Sequence, residues 1–211
     1  MVDPYLRQSP LAHLHLDARV ASDGGLTDAA VILAELPHRG QLLLRGDTGN
    51  PAFRDAVEKA IKTGLPTTAG TVSGSSKGTH IIWQGPDEWL VVTKPGAEEK
   101  TKKALFLAIA NQHAAVTDLS ESRTVIRITG DNAREVLMKG CSVDLHPRVF
   151  GPGHCAETLL AQAHVILHQT VAHKTSGIPT YEIYVYRSFA EYLWTWLEDA
   201  GREFGVKVAT A

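Results

Sequence analysis

The apolar and polar residues of this chain follow two recurring patterns, one typical of buried strands and one of amphipathic helices. The leucine run within residues 41–45 predicts a buried strand, which Gly46 ends with a turn. Asn50 is suited to cap the helix that follows, Pro51 to its first position, and Gly64 to the left-handed residue beyond its end. The apolar stripe of this predicted helix consists of Phe53, Val57 and Ile61.

Two strands and a second helix are predicted to complete this first half. Residues 79–83 and 88–92 are rich in the β-branched and aromatic residues of strands, and a tight turn over residues 85–87 joins them. Residues 97–112 predict a helix, because apolar positions recur on one of its faces. The order strand, helix, two strands, helix is that of a split β-α-β unit.

The second half repeats this order. Residues 124–129 predict a strand, and Asp131 is suited to cap a short helix that ends at Gly140. The last helix is predicted to begin at a capping box, in which the side chains of Ser188 and Glu191 satisfy exposed amide donors reciprocally. Between these helices, strands are predicted at residues 159–167 and 181–186, separated by a polar loop near residues 169–180.

The repeated order of elements predicts the fold class. We expect an α+β protein made of two tandem split β-α-β halves of the ferredoxin-like kind, with antiparallel sheets and with helices on one face. The halves are predicted as pseudo-repeats over about residues 39–113 and 114–206, within a single unit that spans residues 1–211. Side-chain identity between the halves is low, so a coincidental alternation of elements is the alternative.

Composition and charge exclude two classes of partner. The 211 residues carry a formal net charge of -2, and a chain without a basic excess does not match the phosphate backbone of nucleic acids. No apolar run approaches the roughly 20 residues that span a bilayer, and the N-terminus lacks the pattern of a secretion signal. Cys141 and Cys155 have no CxxC spacing, and in a chain without a secretion signal we expect them to be reduced and buried. These features together predict a cytoplasmic protein without membrane or nucleic-acid partners.

Motifs for catalysis and for cofactor binding are absent from the sequence. Neither GxGxxG nor GxxxxGK[ST] occurs, which argues against a flavin, nicotinamide or nucleotide site in this chain. His154 and Cys155 are adjacent, but neighbouring side chains on a strand point to opposite faces. The residues nearest to a metal-ligand set, none with a zinc spacing, are Cys141, His146, His154, Cys155 and the alternating pair His13 and His15. We therefore predict no catalytic, cofactor-binding or metal-binding residue.

The tryptophans are the candidates for contact with a partner protein. Trp194 and Trp196 are two residues apart on the last predicted helix and face roughly 200° apart, so one core cannot bury both. One is expected to pack inward. The other either meets a partner, where tryptophan is enriched, or lies beneath a loop of this chain. Trp83 and Trp89 present the same alternatives, and we predict interface roles for Trp89, Trp194 and Trp196.

Several blocks of residues, taken in order, form a more specific pattern than any single motif. These blocks are Gly85–Leu90, Val116–Ser120 with Arg123–Val125, Lys139–Pro147, Tyr181–Ile183 and Arg187–Trp194. Together they resemble the gamma subunit family of heterotetrameric sarcosine oxidase, over roughly Trp83 to Trp196. That family is similar to the folate-binding domain of the T-protein of the glycine cleavage system.

The resemblance implies a function within a complex of four different chains. Such a complex, with alpha, beta and delta subunits as partners, oxidises sarcosine to glycine and forms hydrogen peroxide. It passes the one-carbon unit to tetrahydrofolate or releases it as formaldehyde. The resemblance places FAD, FMN, NAD and tetrahydrofolate in the partner subunits and makes the gamma chain a non-catalytic structural platform.

A stand-alone tetrahydrofolate-binding protein, either an aminomethyltransferase-like enzyme or a repair protein, is the alternative. In T-protein-like enzymes a carboxylate in the strand after the second short helix contacts the folate ring. The comparable residues 159–167 contain no acid, and a histidine does not replace the charge of a carboxylate. Asp118 and Asp144 remain, but each equally suits a turn or a cap. The resemblance therefore carries the fold to this chain without the enzymatic site.

Overall fold

The computed structural model of this protein describes residues 6–23, 29–170 and 177–210. The polar loop expected near residues 169–180 lies partly outside the described residues. The chain divides into two compact units. Unit 1 comprises residues 1–38, 122–152 and 157–211, and unit 2 comprises residues 39–121 and 153–156.

Strands and helices alternate along the described residues. The strands are β1 (Val31–Glu35), β2 (Gly40–Arg45), β3 (Val72–Gly74), β4 (His80–Gly85), β5 (Glu88–Thr93), β6 (Ala115–Asp118), β7 (Arg123–Thr129), β8 (Cys155–Leu160), β9 (Ala163–Gln169), β10 (Thr180–Tyr186) and β11 (Val206–Val208). The helices are α1 (Leu16–Asp23), α2 (Pro51–Ile61), α3 (Glu98–Ala108), α4 (Ala133–Met138) and α5 (Ala190–Gly201). None of these helices is long and apolar enough to cross a membrane.

Unit 2 has the predicted ferredoxin-like arrangement. Over its described residues it holds a five-stranded sheet in the order β3-β4-β5-β2-β6, in which the paired strands run antiparallel. β2, α2 and β4 form one split β-α-β unit with β5 between its strands, and β5, α3 and β6 form the second with β2 between. The hairpin predicted around residues 85–87 is confirmed by the pairing of β4 with β5.

Helix α2 begins as predicted and ends differently. The Asn50 side chain accepts a hydrogen bond from the Ala52 amide at 3.0 Å, which satisfies an orphan donor of the first turn. The expectation that Gly64 ends the helix is wrong. Lys62 adopts the left-handed conformation, with φ 59°, and its amide donates to the carbonyl of Glu58. The side chains that α2 contributes to the core of unit 2 are Phe53 and Val57, with Ile61 packed at its margin.

Helix α3 lies close to the start of β2. A side chain at Gly40 would place its Cβ 2.2 Å from the Thr93 hydroxyl oxygen and 2.8 Å from the Cβ of Glu98. Glycine at this position therefore permits the beginning of α3 to approach the sheet. The helix spans fewer residues than the predicted 97–112, and its Leu105 is fully buried in the core of unit 2.

The described part of unit 1 holds a six-stranded sheet in the order β11-β1-β7-β10-β9-β8. β1 pairs antiparallel with β7 and parallel with β11, so a strand from before the predicted second half occupies the place beside β7. The single strand predicted over residues 159–167 is wrong. The chain turns at Ala161, whose φ is 52°, and forms the separate strands β8 and β9. The short strand β11 was not predicted.

Two of the predicted helix caps in unit 1 are wrong. Helix α4 begins after Asn132 without a side-chain cap, so Asp131 does not cap it. Helix α5 begins after a 3-10 turn over Arg187–Phe189 and also lacks a side-chain cap. The expected capping box is therefore not formed. The carboxylate of Glu191 instead lies 3.3 Å from Nε2 of His13, and both side chains are exposed.

Candidate functional site

Three neighbouring strands of unit 1 carry a row of polar side chains across the sheet. The register places Glu182 of β10 opposite Arg127 of β7 and opposite His168 of β9. Directly opposite residues in antiparallel strands project from the same face, so these three side chains form a continuous row. Nη2 of Arg127 donates to one carboxylate oxygen of Glu182 at 2.9 Å, and the Tyr184 hydroxyl donates to the other at 3.0 Å.

Burial determines the charge state of His168 in this row. Only 1% of the Glu182 side chain is exposed, against 31% of the Arg127 side chain. Burial lowers the pKa of His168 from 6.5 to about 4, and the Glu182 carboxylate opposes that shift only in part. His168 is therefore neutral near neutral pH. Because both oxygens of Glu182 accept hydrogen bonds, the carboxylate is better suited to join strands than to take a proton from a substrate.

The two cysteines of the chain are free thiols, and the one in unit 2, Cys155, is unsuited to nucleophilic chemistry. Sγ of Cys155 lies 3.5 Å from the carbonyl oxygen of Thr71 and 3.6 Å from that of Trp83. Burial raises the pKa of the Cys155 thiol to about 12, although the hydrogen bond to Trp83 acts in the opposite direction. Cys155 and the half-buried Cys141 form no disulfide. Cys155 is buried as predicted, whereas Cys141 is less buried than predicted.

Trp89 is a core residue of unit 2. Its side chain is fully buried, its ring centroid lies 5.9 Å from that of Phe53, and its indole N–H donates to the carbonyl oxygen of Pro66 at 2.9 Å. The chain's own core therefore leaves no part of this side chain for a partner. A buried indole that finds a backbone acceptor within its own chain is typical of tryptophan in protein interiors.

Helix α5 turns its two tryptophans in different directions. Trp194 is fully buried, so its side chain also has no surface to offer a partner. Trp196 is half-buried. A Cβ at Gly140 would lie 2.5 Å from the Trp196 ring, which shows that this ring rests directly on the backbone at the end of α4. The predicted division into an inward and an outer tryptophan corresponds to Trp194 and Trp196.

Trp196 belongs to an aromatic stripe that the sequence analysis missed. Phe189, Tyr192 and Trp196 follow the spacing i, i+3, i+7, which brings them to one side of a helix. Phe189 and Tyr192 are both exposed. This spacing is visible in the sequence.

The sequence of the chain matches a known family along most of its length. Residues 45–203 match the family model described as "Sarcosine oxidase, gamma subunit family". Sarcosine oxidase subunit gamma of Corynebacterium sp. (strain P-1) is 37% identical over 199 residues, which cover 94% of this chain and 92% of that protein. The subunit of the same name from Corynebacterium sp. (strain U-96) is 38% identical over 201 residues, with the same coverage.

Solved structures show the same relationship. A chain of the heterotetrameric sarcosine oxidase from Corynebacterium sp. U-96, in complex with pyrrole 2-carboxylate, matches with a TM-score of 0.82 and 36% identity, over 94% of this chain and 96% of that chain. The aminomethyltransferase T of the Bartonella henselae glycine cleavage system matches with a TM-score of 0.68 and 16% identity, over 97% of this chain and 59% of that chain. The second likeness shows the fold alone. Because the family model matches most of the chain and the relatives are 37% and 38% identical over 94% of it, the chain belongs to the sarcosine oxidase gamma subunit family.

Proposed function

We propose that this chain is the gamma subunit of a heterotetrameric sarcosine oxidase, with alpha, beta and delta subunits as its partners. The observation that carries the proposal is the match to a chain of the U-96 heterotetramer, which covers 94% of this chain and 96% of that one at 36% identity. A match over nearly the whole of both chains favours the same place in an assembly.

The assembled complex oxidises sarcosine to glycine in the cytoplasm. The one-carbon unit goes to tetrahydrofolate or leaves as formaldehyde, and hydrogen peroxide is formed. FAD, FMN, NAD and tetrahydrofolate are assigned to the partner subunits. This assignment agrees with the absence of a GxGxxG turn from the sequence of this chain.

The gamma chain is proposed to act as a structural platform without catalytic residues of its own. The buried groups that resemble catalytic ones are in unsuitable states for that role. Both carboxylate oxygens of Glu182 accept hydrogen bonds, His168 has a pKa of about 4, and Cys155 has a pKa of about 12. A general base near neutral pH and a nucleophilic thiolate both need pKa values closer to 7.

Contact with the partners is proposed to include the outer side of α5. Trp196, with Phe189 and Tyr192, offers aromatic surface of the kind enriched at protein interfaces. Trp89 and Trp194 take no direct part, because they lie in the interior of their units.

The proposal is tested by co-expressing this chain, tagged, with the alpha, beta and delta proteins encoded beside it. We expect the tag to recover four chains that form a yellow complex and oxidise sarcosine, whereas the gamma chain expressed alone is colourless. Recovery of the gamma chain alone from the co-expression, together with a rise in its melting temperature on addition of tetrahydrofolate, would contradict the proposal. That result would favour the stand-alone folate-binding protein.

A further inference from the structure

Helix α3 in unit 2 has an outer face that its own fold does not use. The inner face of this helix carries Leu105, which is fully buried in the core of unit 2 together with the nearby Ile109. The next two residues point outward instead. Phe106 is 63% exposed and Leu107 is 66% exposed. Two adjacent large apolar side chains with this much exposure are more than the scattered single residues expected on a protein surface.

Lysine side chains precede this apolar pair on the same helix. Lys103 precedes Phe106 by three residues and Leu107 by four, and Lys100 lies one further turn away, so the spacing places these residues on one side of the helix. Lys100 and Lys103 are exposed, and Lys102 is half-buried. Glu99 is also exposed and lies on the same side, at the beginning of the helix.

This side of α3 carries a net positive charge, because Lys100 and Lys103 outnumber Glu99. Within the part of the chain that the structure describes, the ion pairs engage other residues and none joins Lys100, Lys102 or Lys103 to an acid. The outer face of α3 is thus an apolar pair bordered by lysines that make no close ion pair. A surface complementary to it would combine an apolar recess with carboxylates at its edge.

We propose that Phe106 and Leu107 dock helix α3 onto another subunit of the oxidase, at an apolar recess bordered by acidic side chains. This inference rests on the proposed function, because it names the surface through which the gamma chain enters the complex. A second copy of this chain is a poorer occupant. A two-fold contact centred on the apolar pair would set two identical protruding, net-positive faces against each other, and neither copy would offer a recess with carboxylates at its edge.

The test is a competition for places in the complex. Tagged wild-type gamma and an untagged Phe106→Ser/Leu107→Ser variant are co-expressed with the other three subunits, a tag on the alpha subunit recovers the assembly, and mass spectrometry measures the ratio of the two gamma chains. Phe106 is expected to act as the main anchor, and loss of one such anchor weakens binding by about 30-fold. The variant should therefore supply less than about a tenth of the incorporated gamma chain.

Two further variants sharpen the result. A Met138→Ser/Val149→Ser variant changes two exposed apolar residues of unit 1 and should compete equally with the wild type. Lys100→Glu/Lys103→Glu should also lose the competition, since it reverses the charge that faces the carboxylates. Far-UV circular dichroism and the urea midpoint of the isolated α3 variants should match the wild type, because substitutions of exposed residues rarely change stability by more than about 0.5 kcal/mol.

Three results would overturn the inference. Equal incorporation of Phe106→Ser/Leu107→Ser into an active complex would show that α3 is not a docking surface, while the proposed function would stand. Binding of the wild type, but not of this variant, to vesicles of phosphatidylcholine with phosphatidylserine, together with equal incorporation, would assign the face to membranes. Failure of wild-type gamma to join any complex would reject the proposed function, and this inference with it.

Discussion

Replacing Arg127 by methionine is expected to destabilise unit 1 strongly. The substitution retains much of the apolar stem of arginine but removes the cation that faces the buried Glu182 carboxylate. Glu182 is 1% exposed and sits at the cross-strand position opposite Arg127. The loss of one partner leaves a carboxylate in the interior without its compensating charge, and such losses cost about 3–5 kcal/mol. Since 31% of the Arg127 side chain is exposed, we expect a cost at the lower end of this range, about 3 kcal/mol.

The chain supplies a matched control for this prediction. Arg45 and Glu88 are also opposite each other on antiparallel strands and form an ion pair, but 60% of the Arg45 side chain is exposed. Arg45→Met should therefore lower the free energy of unfolding by less than about 1 kcal/mol. The double variant Arg127→Met/Glu182→Leu should recover most of the stability lost in Arg127→Met, because it removes the buried charge as well.

The assay is urea unfolding of the purified chain, followed by far-UV circular dichroism and by tryptophan fluorescence. A cost for Arg127→Met no greater than that for Arg45→Met would show that Glu182 does not depend on its ion pair. The same conclusion would follow if the double variant were less stable than Arg127→Met alone. Either result would refute the description of the row as an enclosed ionic contact between strands.

Other features of the structure predict further measurable effects. The pKa of His168 in the folded chain, about 4, lies below its ordinary value of 6.5. The free energy of unfolding should therefore keep its full value above pH 6.5 and decrease by about 3 kcal/mol as the pH falls to 4. Urea midpoints across this range should show the decrease, and His168→Gln should make it smaller. Ellman's reagent should modify Cys141 in the native chain and Cys155 only after unfolding, and two reactive thiols in the native chain would contradict the burial of Cys155. Gly140→Ala should destabilise the chain by about 1–3 kcal/mol through contact with the Trp196 ring. The cost should be smaller in a Trp196→Ala background, and additive costs would argue against that contact.

Local patterns predicted the elements that short-range physics determines. The start of α2 follows from Asn50 and Pro51, and the β4–β5 hairpin from two apolar runs on either side of a short turn. The ends of α4 and α5 were less predictable. Residues such as Asp131 and Ser188 suit a cap in several backbone conformations, and the conformation actually adopted depends on how the helix packs.

Long-range pairings were not accessible to the same reasoning. β11 has only three residues and pairs with β1, which lies far earlier in the chain, so neither length nor periodicity identifies it. The pairing of Arg127 with Glu182 joins residues 55 apart in sequence. An acidic residue in a strand suggests an exposed position, and only the pairing with Arg127 across the sheet explains how the Glu182 side chain can be buried.

The burial of the tryptophans illustrates the same limit. Spacing alone correctly separated the directions of Trp194 and Trp196 on one helix. Spacing does not reveal that Trp89 has a backbone acceptor at Pro66, 23 residues away, which allows its indole to be buried. The sequence alone therefore does not distinguish a tryptophan that is buried against a distant part of its own chain from one that contacts another subunit.

Membership of this chain in a four-subunit oxidase is tested most directly by recovering the tagged gamma chain from a co-expression of all four subunits. Native mass spectrometry measures the composition of the recovered complex, and absorbance measures the flavin on each separated chain. We expect one mass that contains alpha, beta, gamma and delta chains, with all flavin absorbance on chains other than gamma. A gamma chain found only as a monomer or homodimer, or one that retains flavin after separation, would contradict it.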